Sequence, residues 1–364
     1  MKTSMTLRVT TGLLATCAGL VCGPTRAQAQ VAIQKVQISE GVYQFISAPD
    51  GYVPTTTNSV VIVNEDDVLV FDDFARPSTA RTELAEIRKI TDKPVRYLVN
   101  SHHHPDHWSG NEVYAEAFPN LEIIATEESR QYMLSLAKSW PPVWANQLGK
   151  SQSAFDKEIS TGKQSDGTAL TPEQRTEDEA YVRLKGEFVA EGMKVKRTYP
   201  TLTYDDHLTL RHGGREFRFM SLVGDASSTT VLYLPKEKIL ITGDLIVYPL
   251  PYAVRKLNQI AKELRMLAQF DADVIIPGHG PAWHDKGFLN LEADLAESIV
   301  NQVNEAVENG LVTIEEIQKA VNVEPLRLKF THDDKELNAE FSSVVSEMVQ
   351  NAAREARDGR EWKR

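Results

Sequence analysis

The chain has 364 residues, of which 41% are hydrophobic and 25% are charged. That composition is typical of a globular protein, and the length allows one large domain or two ordinary ones. The formal net charge of −11 argues against nucleic acid and anionic membranes as partners and favours a small-molecule substrate.

The first residues have the pattern of a secretory signal. Lys2 and Arg8 precede a short apolar run, and Ala27-Gln28-Ala29 supplies the small residues that signal peptidase reads. The run is shorter than the roughly 20 residues that span a bilayer, so no membrane span is expected. We predict a signal peptide over residues 1–29 and a periplasmic or secreted mature chain.

Two alternatives remain for this segment, an ordinary buried helix and a lipoprotein signal acylated at Cys17. Cys17 and Cys22 are the only cysteines, and both lie within the predicted signal. The mature chain is therefore expected to have neither a disulfide nor a thiolate metal ligand.

The first half of the mature chain alternates predicted strands with predicted helices. A helix is predicted over Pro77–Ile90, where a proline stands near the start, and a second one follows the histidine-rich stretch at 102–107. A further helix begins at Glu127. The predicted strands are Val31–Ile38, Val42–Ile46, Ser59–Val63, Val68–Phe71, Val95–Val99 and Leu121–Ala125.

Residues 140–200 are polar and have weak strand signals, so we predict a helical insertion or lid there. Thr171-Pro172-Glu173-Gln174 resembles a capping box at the start of a helix. Strand signals then return, a helix is predicted over Val254–Gln269, and the chain is helical from Leu289, with a stop at Asn309-Gly310. The later predicted strands are Leu208–Leu210, Glu216–Leu222, Thr229–Leu234, Ile239–Thr242 and Val274–Ile276. This order suggests two sheets packed face to face with helices outside.

The segment His102-His103-His104-Pro105-Asp106-His107 follows a predicted strand directly. Alternate residues of an extended segment point the same way, so His102 and His104 are expected to address one point and His103 to face away. Asp106 and His107 follow a proline that turns the chain, and they address a second point. Imidazole and carboxylate are natural ligands of zinc and similar ions, so one segment can serve two adjacent metals.

Two further loops carry ligand-type residues after predicted strands. Gly243-Asp244 follows Ile239–Thr242, and Gly278-His279 follows Val274–Pro277. Each dipeptide alone is typical of a turn, but three such loops in this order indicate a metal site. His207, His212, His284 and His332 have no ligand spacing and are predicted to lie on the surface.

These motifs resemble the metallo-β-lactamase superfamily and its HxHxDH signature, with the resemblance covering roughly residues 38–285. It implies an αββα sandwich (residues 30–285) with the insertion at 140–200 and a helical C-terminal extension at 286–364. By position, the resemblance assigns His102 and His104 to a first metal, and Asp106, His107 and His279 to a second. Asp244 then bridges both metals. An aspartate there is closer to the glyoxalase II and lactonase branch than to the lactamases that use cysteine.

One ligand of that family is missing, a histidine in a Gly-His-Thr stretch before a strand. Counting back from the strand at Val231 places Asp225 there, and a slip in the count places Ser227. Asp225 as a ligand of the first metal is one interpretation. A weak or empty first site that leaves a mononuclear enzyme is another, and a degenerate, non-catalytic relative is the third.

The resemblance implies a hydrolase in which two zinc ions hold a hydroxide that attacks an ester, lactone, thioester or amide. Asp106 is also predicted to orient this nucleophile, and Asp72 or Asp73 to orient a ligand histidine. Tyr248, Tyr252 and Trp108, with Trp140 and Trp144, are candidates for contact with the substrate.

Alternatives to this function are a β-lactamase and an iron-dependent oxidoreductase of the same fold. The second arises because His102, His104 and Asp225 also form a two-histidine, one-carboxylate set that binds iron in oxygenases. One metal ion instead of two is also compatible with the sequence. The oligomeric state and the physiological substrate are not encoded in these patterns.

Overall fold

A computed structural model describes residues 33–48, 56–136, 155–164, 167–252 and 256–361. The predicted signal segment, including Cys17 and Cys22, lies outside the described residues, as do Trp140 and Trp144.

The described strands form two sheets. The first sheet has seven strands in chain order, antiparallel from β1 to β4 and parallel from β4 to β7. Its parallel half follows from the α/β connections, which return each strand in the same direction. The strands are β1 (Ile33–Ser39), β2 (Val42–Ser47), β3 (Asn58–Val63), β4 (Val68–Phe71), β5 (Val95–Val99), β6 (Glu122–Thr126) and β7 (Leu202–Tyr204).

The second sheet has five described strands in the order β12-β11-β10-β9-β8. Its pairs are antiparallel except β11 with β12, which are parallel. The carboxyl ends of β11 and β12 therefore meet at one edge. The strands are β8 (His207–His212), β9 (Arg215–Leu222), β10 (Thr229–Leu234), β11 (Ile239–Ile241) and β12 (Val274–Ile276).

The described helices cover the outer faces of both sheets. In the part of the chain that the structure describes, no helix is long and apolar enough to cross a bilayer. A short helical turn also occupies 155–161. The helices are α1 (Pro77–Ile90), α2 (Asn111–Ala117), α3 (Glu127–Leu136), α4 (Pro172–Gly192), α5 (Leu257–Leu267), α6 (Gly287–Glu308), α7 (Ile314–Ala320), α8 (Glu324–Thr331) and α9 (Lys335–Glu361).

Three buried clusters define the layers. The inner faces of the two sheets meet in one cluster that includes Phe71 and Phe217. Leu84 of α1 belongs to a second cluster, which lies on the outer face of the first sheet. Leu264 of α5 and Ile299 of α6 belong to the third, on the outer face of the second sheet. This arrangement is the predicted αββα sandwich.

The C-terminal helices are part of that third cluster. Ile317 of α7, Phe330 of α8 and Phe341 of α9 are buried together with the residues of the second sheet and α5. Helix α6 ends at Glu308, and Gly310 has a φ of 88°, which glycine adopts without steric cost. The predicted stop at Asn309-Gly310 is confirmed, while the domain boundary at residue 286 stays a prediction.

The predicted capping box is also confirmed. Thr171 accepts a hydrogen bond from the backbone of Gln174, whose side chain in turn accepts from the backbone of Thr171, at the start of α4. Strand β7 was not predicted because it is no continuous apolar run, unlike the equally short and fully buried β11 and β12. It adds to the parallel edge of the first sheet beside β6.

Glu83 of α1 is a fully buried carboxyl group beneath this sheet. Tyr114 donates a hydrogen bond to Glu83 Oε2 at 2.7 Å, whereas Glu83 Oε1 has no hydrogen-bond partner. Burial raises the pKa of Glu83 from 4.5 to about 8, although the hydrogen bond from Tyr114 acts in the opposite direction. The native state therefore keeps a proton that the unfolded chain loses at a lower pH.

We expect Glu83→Gln to stabilise the protein increasingly as the pH rises from about 4.5 to about 8. In this window the unfolded state binds fewer protons, so the wild type loses about 1.4 kcal/mol per pH unit through this group. A neutral glutamine has no such dependence. Urea unfolding of both proteins at several pH values measures the difference, and parallel pH curves would contradict the buried neutral carboxyl.

Candidate metal centre

The predicted ligands all stand where a strand has just ended or is about to begin. The histidine segment follows β5, with Pro105–His107 in a 3-10 turn. Asp244 lies in a second 3-10 turn, Gly243–Leu245, directly after β11, and His279 follows β12. A backbone hydrogen bond of 2.7 Å from Thr230 N to Ser101 O connects the two sheets here. The sandwich therefore brings distant segments to one edge.

The first ligand group consists of His102, His104, Asp225 and Asp244. One ligand atom of each lies within 4.8 Å of those of the others. His104 Nδ1 is 2.9 Å from Asp225 Oδ2, and His102 Nε2 is 3.7 Å from Asp244 Oδ2. Two imidazoles and two carboxylates around one point form a set that first-row divalent ions accept.

The second group consists of Asp106, His107, Asp244 and His279, all buried. His107 Nε2 is 3.2 Å from Asp106 Oδ2 and 3.4 Å from Asp244 Oδ2. His279 Nε2 is 3.4 Å and 3.3 Å from the same two oxygens. Asp244 belongs to both groups, as expected of a bridging ligand.

Buried atoms without hydrogen bonds support metal binding at these points. His102 Nε2, His107 Nε2 and Asp244 Oδ1 are buried and have no hydrogen-bond partner among the described residues. An unsatisfied buried polar atom is costly, and in native proteins it demands a reason. Coordination of a divalent cation supplies that reason, so these residues fit a metal.

The electrostatics of the second group also favour a cation. Burial lowers the pKa of His107, but the carboxylates of Asp244, Asp106 and Asp72 raise it well above its usual range. Burial would raise the pKa of Asp106, yet His107 and His279 hold it below its usual range. The pocket therefore keeps its carboxylates ionised and stabilises positive charge, which a divalent cation would supply in place of the imidazole protons.

The other nitrogen of each of three histidines has a partner that orients the ring. Asp72 Oδ2 lies 2.8 Å from His107 Nδ1, and Ser101 Oγ lies 2.9 Å from His102 Nδ1. His279 Nδ1 donates to the carbonyl of Thr56 at 2.6 Å. In all three rings Nε2 is thus left to face the ligand group.

Of the two aspartates that the sequence left open, Asp72 orients a histidine. Its Oδ1 also accepts a hydrogen bond from Ser101 N at 2.7 Å. Asp73 instead accepts from the backbone of Gly110 at 2.9 Å and is fully buried. Asp73 supports the turn that follows the histidine segment.

Of the two residues that the count allowed, Asp225 and not Ser227 lies among the candidate ligands. Ser227 Oγ donates to Glu128 of α3, away from both ligand groups. The backbone N–H of Asp225 donates to the carbonyl of Asp244 at 3.2 Å. This hydrogen bond holds the loop before β10 next to Asp244. A carboxylate therefore stands beside His104 in the first group.

We expect Asp225→Ala to reduce the metal content from two ions to one and to lower the rate of hydrolysis. The first group loses one of its two carboxylates, whereas the second group does not contain Asp225. Mass-spectrometric metal analysis of the purified variant is the measurement. Unchanged metal content and rate would show that the first site does not use Asp225. Asp205→Ala, an exposed aspartate before β8, serves as the matched control.

His103 takes no part in either ligand group. Its ring stacks on Tyr132 of α3, with centroids 4.7 Å apart and an interplanar angle of 22°. Burial, with the charge of His104 in addition, lowers the pKa of His103 to about 4. Its imidazole is neutral near pH 7, in agreement with the prediction that it faces away.

Trp108 is buried, and its indole N–H donates to the carbonyl of His103 at 2.9 Å. Its ring also lies against Tyr199, with centroids 5.8 Å apart. These two contacts of Trp108 stabilise the histidine segment. Contact with a substrate stays a prediction for Trp108.

The two candidate tyrosines differ in position. Tyr252 lies with its ring centroid 5.9 Å from that of His279, and it lines a small cavity together with Asp244. Tyr248 is 36% exposed and packs on Trp283 and Phe288. Tyr252 is therefore the nearer of the two to the ligand groups.

The remaining histidines lie outside both ligand groups. His207, His284 and His332 are exposed, and half-buried His212 pairs with Asp67.

Several residues that hold the site were missed by the sequence analysis. Asn58 Nδ2 donates to the carbonyls of Pro277 and Gly280 at 2.8 Å and 2.7 Å, which fixes the loop that carries His279. Asn100 and Asn111 exchange two side-chain hydrogen bonds of 2.9 Å. Asn100 stands two residues before the histidine motif, and that position was the one available signal.

The profile of the metallo-beta-lactamase superfamily matches residues 52–279. The chain belongs to this superfamily. Its hydrolases bind divalent metals, and the two ligand groups of this member lie at the sandwich edge described above.

This superfamily member is similar in sequence to one curated relative. It is 27% identical over 266 residues to the linear primary-alkylsulfatase of Pseudomonas sp. (strain ATCC 19151), across 69% of this chain and 47% of the relative. The chain thus spans about half the length of that curated relative. The match supports common ancestry of the two chains.

Two solved structures share the fold at low identity. The inverting sec-alkylsulfatase Pisa1 from Pseudomonas sp. superposes with a TM-score of 0.57 at 18% identity, over 87% of this chain and 50% of its own. A metallo-β-lactamase from Pontibacter korlensis superposes with a TM-score of 0.50 at 17% identity, over 73% of this chain and 99% of its own. These likenesses establish the sandwich fold.

Proposed function

We propose that this chain is a two-metal hydrolase that cleaves an ester bond of a small molecule. The observation that carries the proposal is the pair of ligand groups that share Asp244, with buried ligand atoms left without hydrogen bonds. When bound, two divalent cations lower the pKa of a shared water and polarise the bond under attack. Zinc is the proposed metal because imidazole and carboxylate suit it.

Asp106 is the proposed catalytic residue of the chain itself. It is buried and held ionised beside His107 and His279. An ionised carboxylate accepts a hydrogen bond, so Asp106 is able to orient a water molecule between the two ligand groups. A water molecule that is hydrogen-bonded to Asp106 Oδ2 would lie in the region that the Nε2 atoms of His107 and His279 face.

Alkyl sulfate esters are the substrates that we propose to test first. The curated relative is a linear primary-alkylsulfatase, and the match covers 69% of this chain. The ligand groups contain three carboxylates, Asp106, Asp225 and Asp244, whose charge two divalent cations outweigh. Before a hydroxide is bound, the loaded site then has a charge of about +1, which attracts an anionic head group. Carboxylic esters, lactones and thioesters are further candidate substrates, and β-lactam amides are the alternative substrate class.

The test combines metal analysis with a substrate screen. Purified protein loaded with Zn²⁺ is assayed against decyl sulfate, a p-nitrophenyl ester, a γ-lactone and a chromogenic cephalosporin, with and without a chelator. We expect chelator-sensitive hydrolysis of the sulfate ester. Cleavage of the cephalosporin alone would favour the β-lactamase, and no hydrolysis by protein that holds two metals would overturn the proposal.

An iron-dependent oxidoreductase is the second candidate, because His102, His104 and Asp225 stand together in the first group. Such enzymes leave the remaining positions open for substrate and oxygen. Asp244, as a fourth ligand in the same group, argues for the hydrolase. A single bound iron with oxygen consumption would decide for the oxidoreductase.

We also propose that residues 1–29 direct export of the chain to the periplasm or beyond. The basic start, the apolar run and Ala27-Gln28-Ala29 support this proposal. Expression of the full chain in a Gram-negative host should yield a periplasmic protein that begins at Gln30. A lipid-modified chain of higher mass in the membrane fraction would indicate acylation at Cys17 instead.

A further inference from the structure

Helix α1 begins without a cap of its own. Arg76 at its N-cap position makes no side-chain capping bond. The first backbone N–H groups of a helix have no partners within the helix, so they need an acceptor from elsewhere. Glu191, in the last turn of insertion helix α4, supplies it. Glu191 Oε1 accepts from Ser78 N at 2.6 Å, and Oε2 accepts from Ser78 Oγ at 2.8 Å.

Two more contacts attach α4 to this point. Glu191 Oε2 also accepts from Arg76 Nε at 2.9 Å, and the two side chains are only 19% and 10% exposed. One turn earlier, Phe188 is buried against Ala75. A charge-assisted bond shielded from water is stronger than an exposed ion pair. The insertion is therefore docked on residues 75–78 by both charge and apolar contact.

The turn that precedes α1 is strained and carries a residue of the metal centre. Asp72 and Phe74 have φ values of 61° and 72°, in the left-handed region that non-glycine residues avoid. Such conformations cost about 1–3 kcal/mol each and persist only where the surrounding structure holds them. Asp72 is the acceptor that orients His107. Its position depends on this turn.

We propose that Glu191 is a positioning residue for the second metal, because it clamps the strained turn that keeps Asp72 on His107. The inference rests on the proposed function, since it takes His107 as a metal ligand. An imidazole ligand is oriented by the partner of its other nitrogen, and loss of that partner weakens metal binding. Glu191 acts on Asp72 indirectly, through its hydrogen bonds to Ser78 and Arg76 and through the turn that precedes α1.

The chain that returns from the insertion also contacts the first turn of α2, which follows the histidine segment. Lys196 N donates to Glu112 Oε2 at 2.8 Å, and Asn111 Nδ2 donates to the carbonyl of Thr198 at 2.8 Å. Asn111 is in turn paired with Asn100, which stands two residues before the histidine motif. Glu191 and residues 196–198, which follow it, are thus both tied to backbone that carries or supports metal ligands. The insertion serves as a brace for the centre.

The test measures the affinity of each metal separately in Glu191→Gln. Titration with Zn²⁺ in competition with a chromophoric chelator yields two dissociation constants, which Asp225→Ala and His279→Ala assign to the first and second sites. We expect the dissociation constant of the second site to rise about tenfold in Glu191→Gln, while that of the first site stays unchanged. Glu191→Asp, which keeps the charge, should show a smaller rise at the same site.

Two controls separate positioning from general destabilisation. Glu187→Gln removes an exposed ion pair with Arg183 on the same helix and should leave both constants unchanged. Val303→Ala, in the buried face of α6, should lower stability without selective metal loss. Unchanged constants in Glu191→Gln, or an equal loss at both sites, overturn the inference. Wild-type protein that binds no Zn²⁺ contradicts the proposed function instead.

Discussion

Replacement of Asp244 with alanine is expected to remove both metals and to lower the rate of hydrolysis by about a thousandfold or more. Asp244 is the one residue that belongs to both ligand groups, so its loss leaves each group with a single carboxylate at most. A metal ion contributes several kcal/mol of transition-state stabilisation, and about 1.4 kcal/mol corresponds to a factor of ten in rate. Metal analysis and kcat/KM on the best substrate are the measurements.

The comparison with Asp225→Ala distinguishes loss of a ligand shared by both groups from loss of a ligand that belongs to one group. Asp225 belongs to the first group alone, so its variant should retain one metal where Asp244→Ala retains none. Asp271→Ala is a control of the same chemical change, because Asp271 is largely exposed and pairs with Lys238. Two metals still bound after loss of Asp244 would exclude the bridging role.

The fold and the clustering of the candidate ligands were predictable because both depend on local patterns. Buried strands and amphipathic helices alternate along the chain, and this order indicates layers before any contact is known. The ligands follow strands at short spacing, and His102 and His104 stand at alternate positions. Their separation into two groups follows from backbone geometry together with the turn at Pro105.

The supporting contacts were not predictable, because they join segments far apart in sequence. His279 is oriented by the carbonyl of Thr56, and every residue has a carbonyl, so no pattern marks this one. Asp72 and Asp73 are neighbours of the same type, and only the left-handed backbone at Asp72 turns its carboxylate toward His107. Glu191 looked like one of many polar residues of the insertion.

Gly278 is the position where a single methyl group is expected to damage both metal sites. It stands between β12 and His279, and a Cβ on this residue would lie 1.9 Å from Asp244 Oδ1 and 2.8 Å from the carbonyl carbon of Gly243. The second of these atoms is backbone, so no rotation of a side chain relieves both contacts. Either the bridging Asp244 or the loop that carries His279 must move.

We therefore expect Gly278→Ala to fold with reduced stability and to lose most of its affinity for both metals, with a fall in activity close to that of Asp244→Ala. Zn²⁺ titration, thermal unfolding and kcat/KM measure the three effects. Gly186→Ala is the matched control, because a Cβ there, within α4, meets no atom within 4 Å and alanine favours a helix. If Gly278→Ala binds two metals as tightly as the wild type, then the backbone at this edge yields more easily than its packing implies. Asp244 would then not be held in place by contact with the glycine, and its position would depend on the metals themselves.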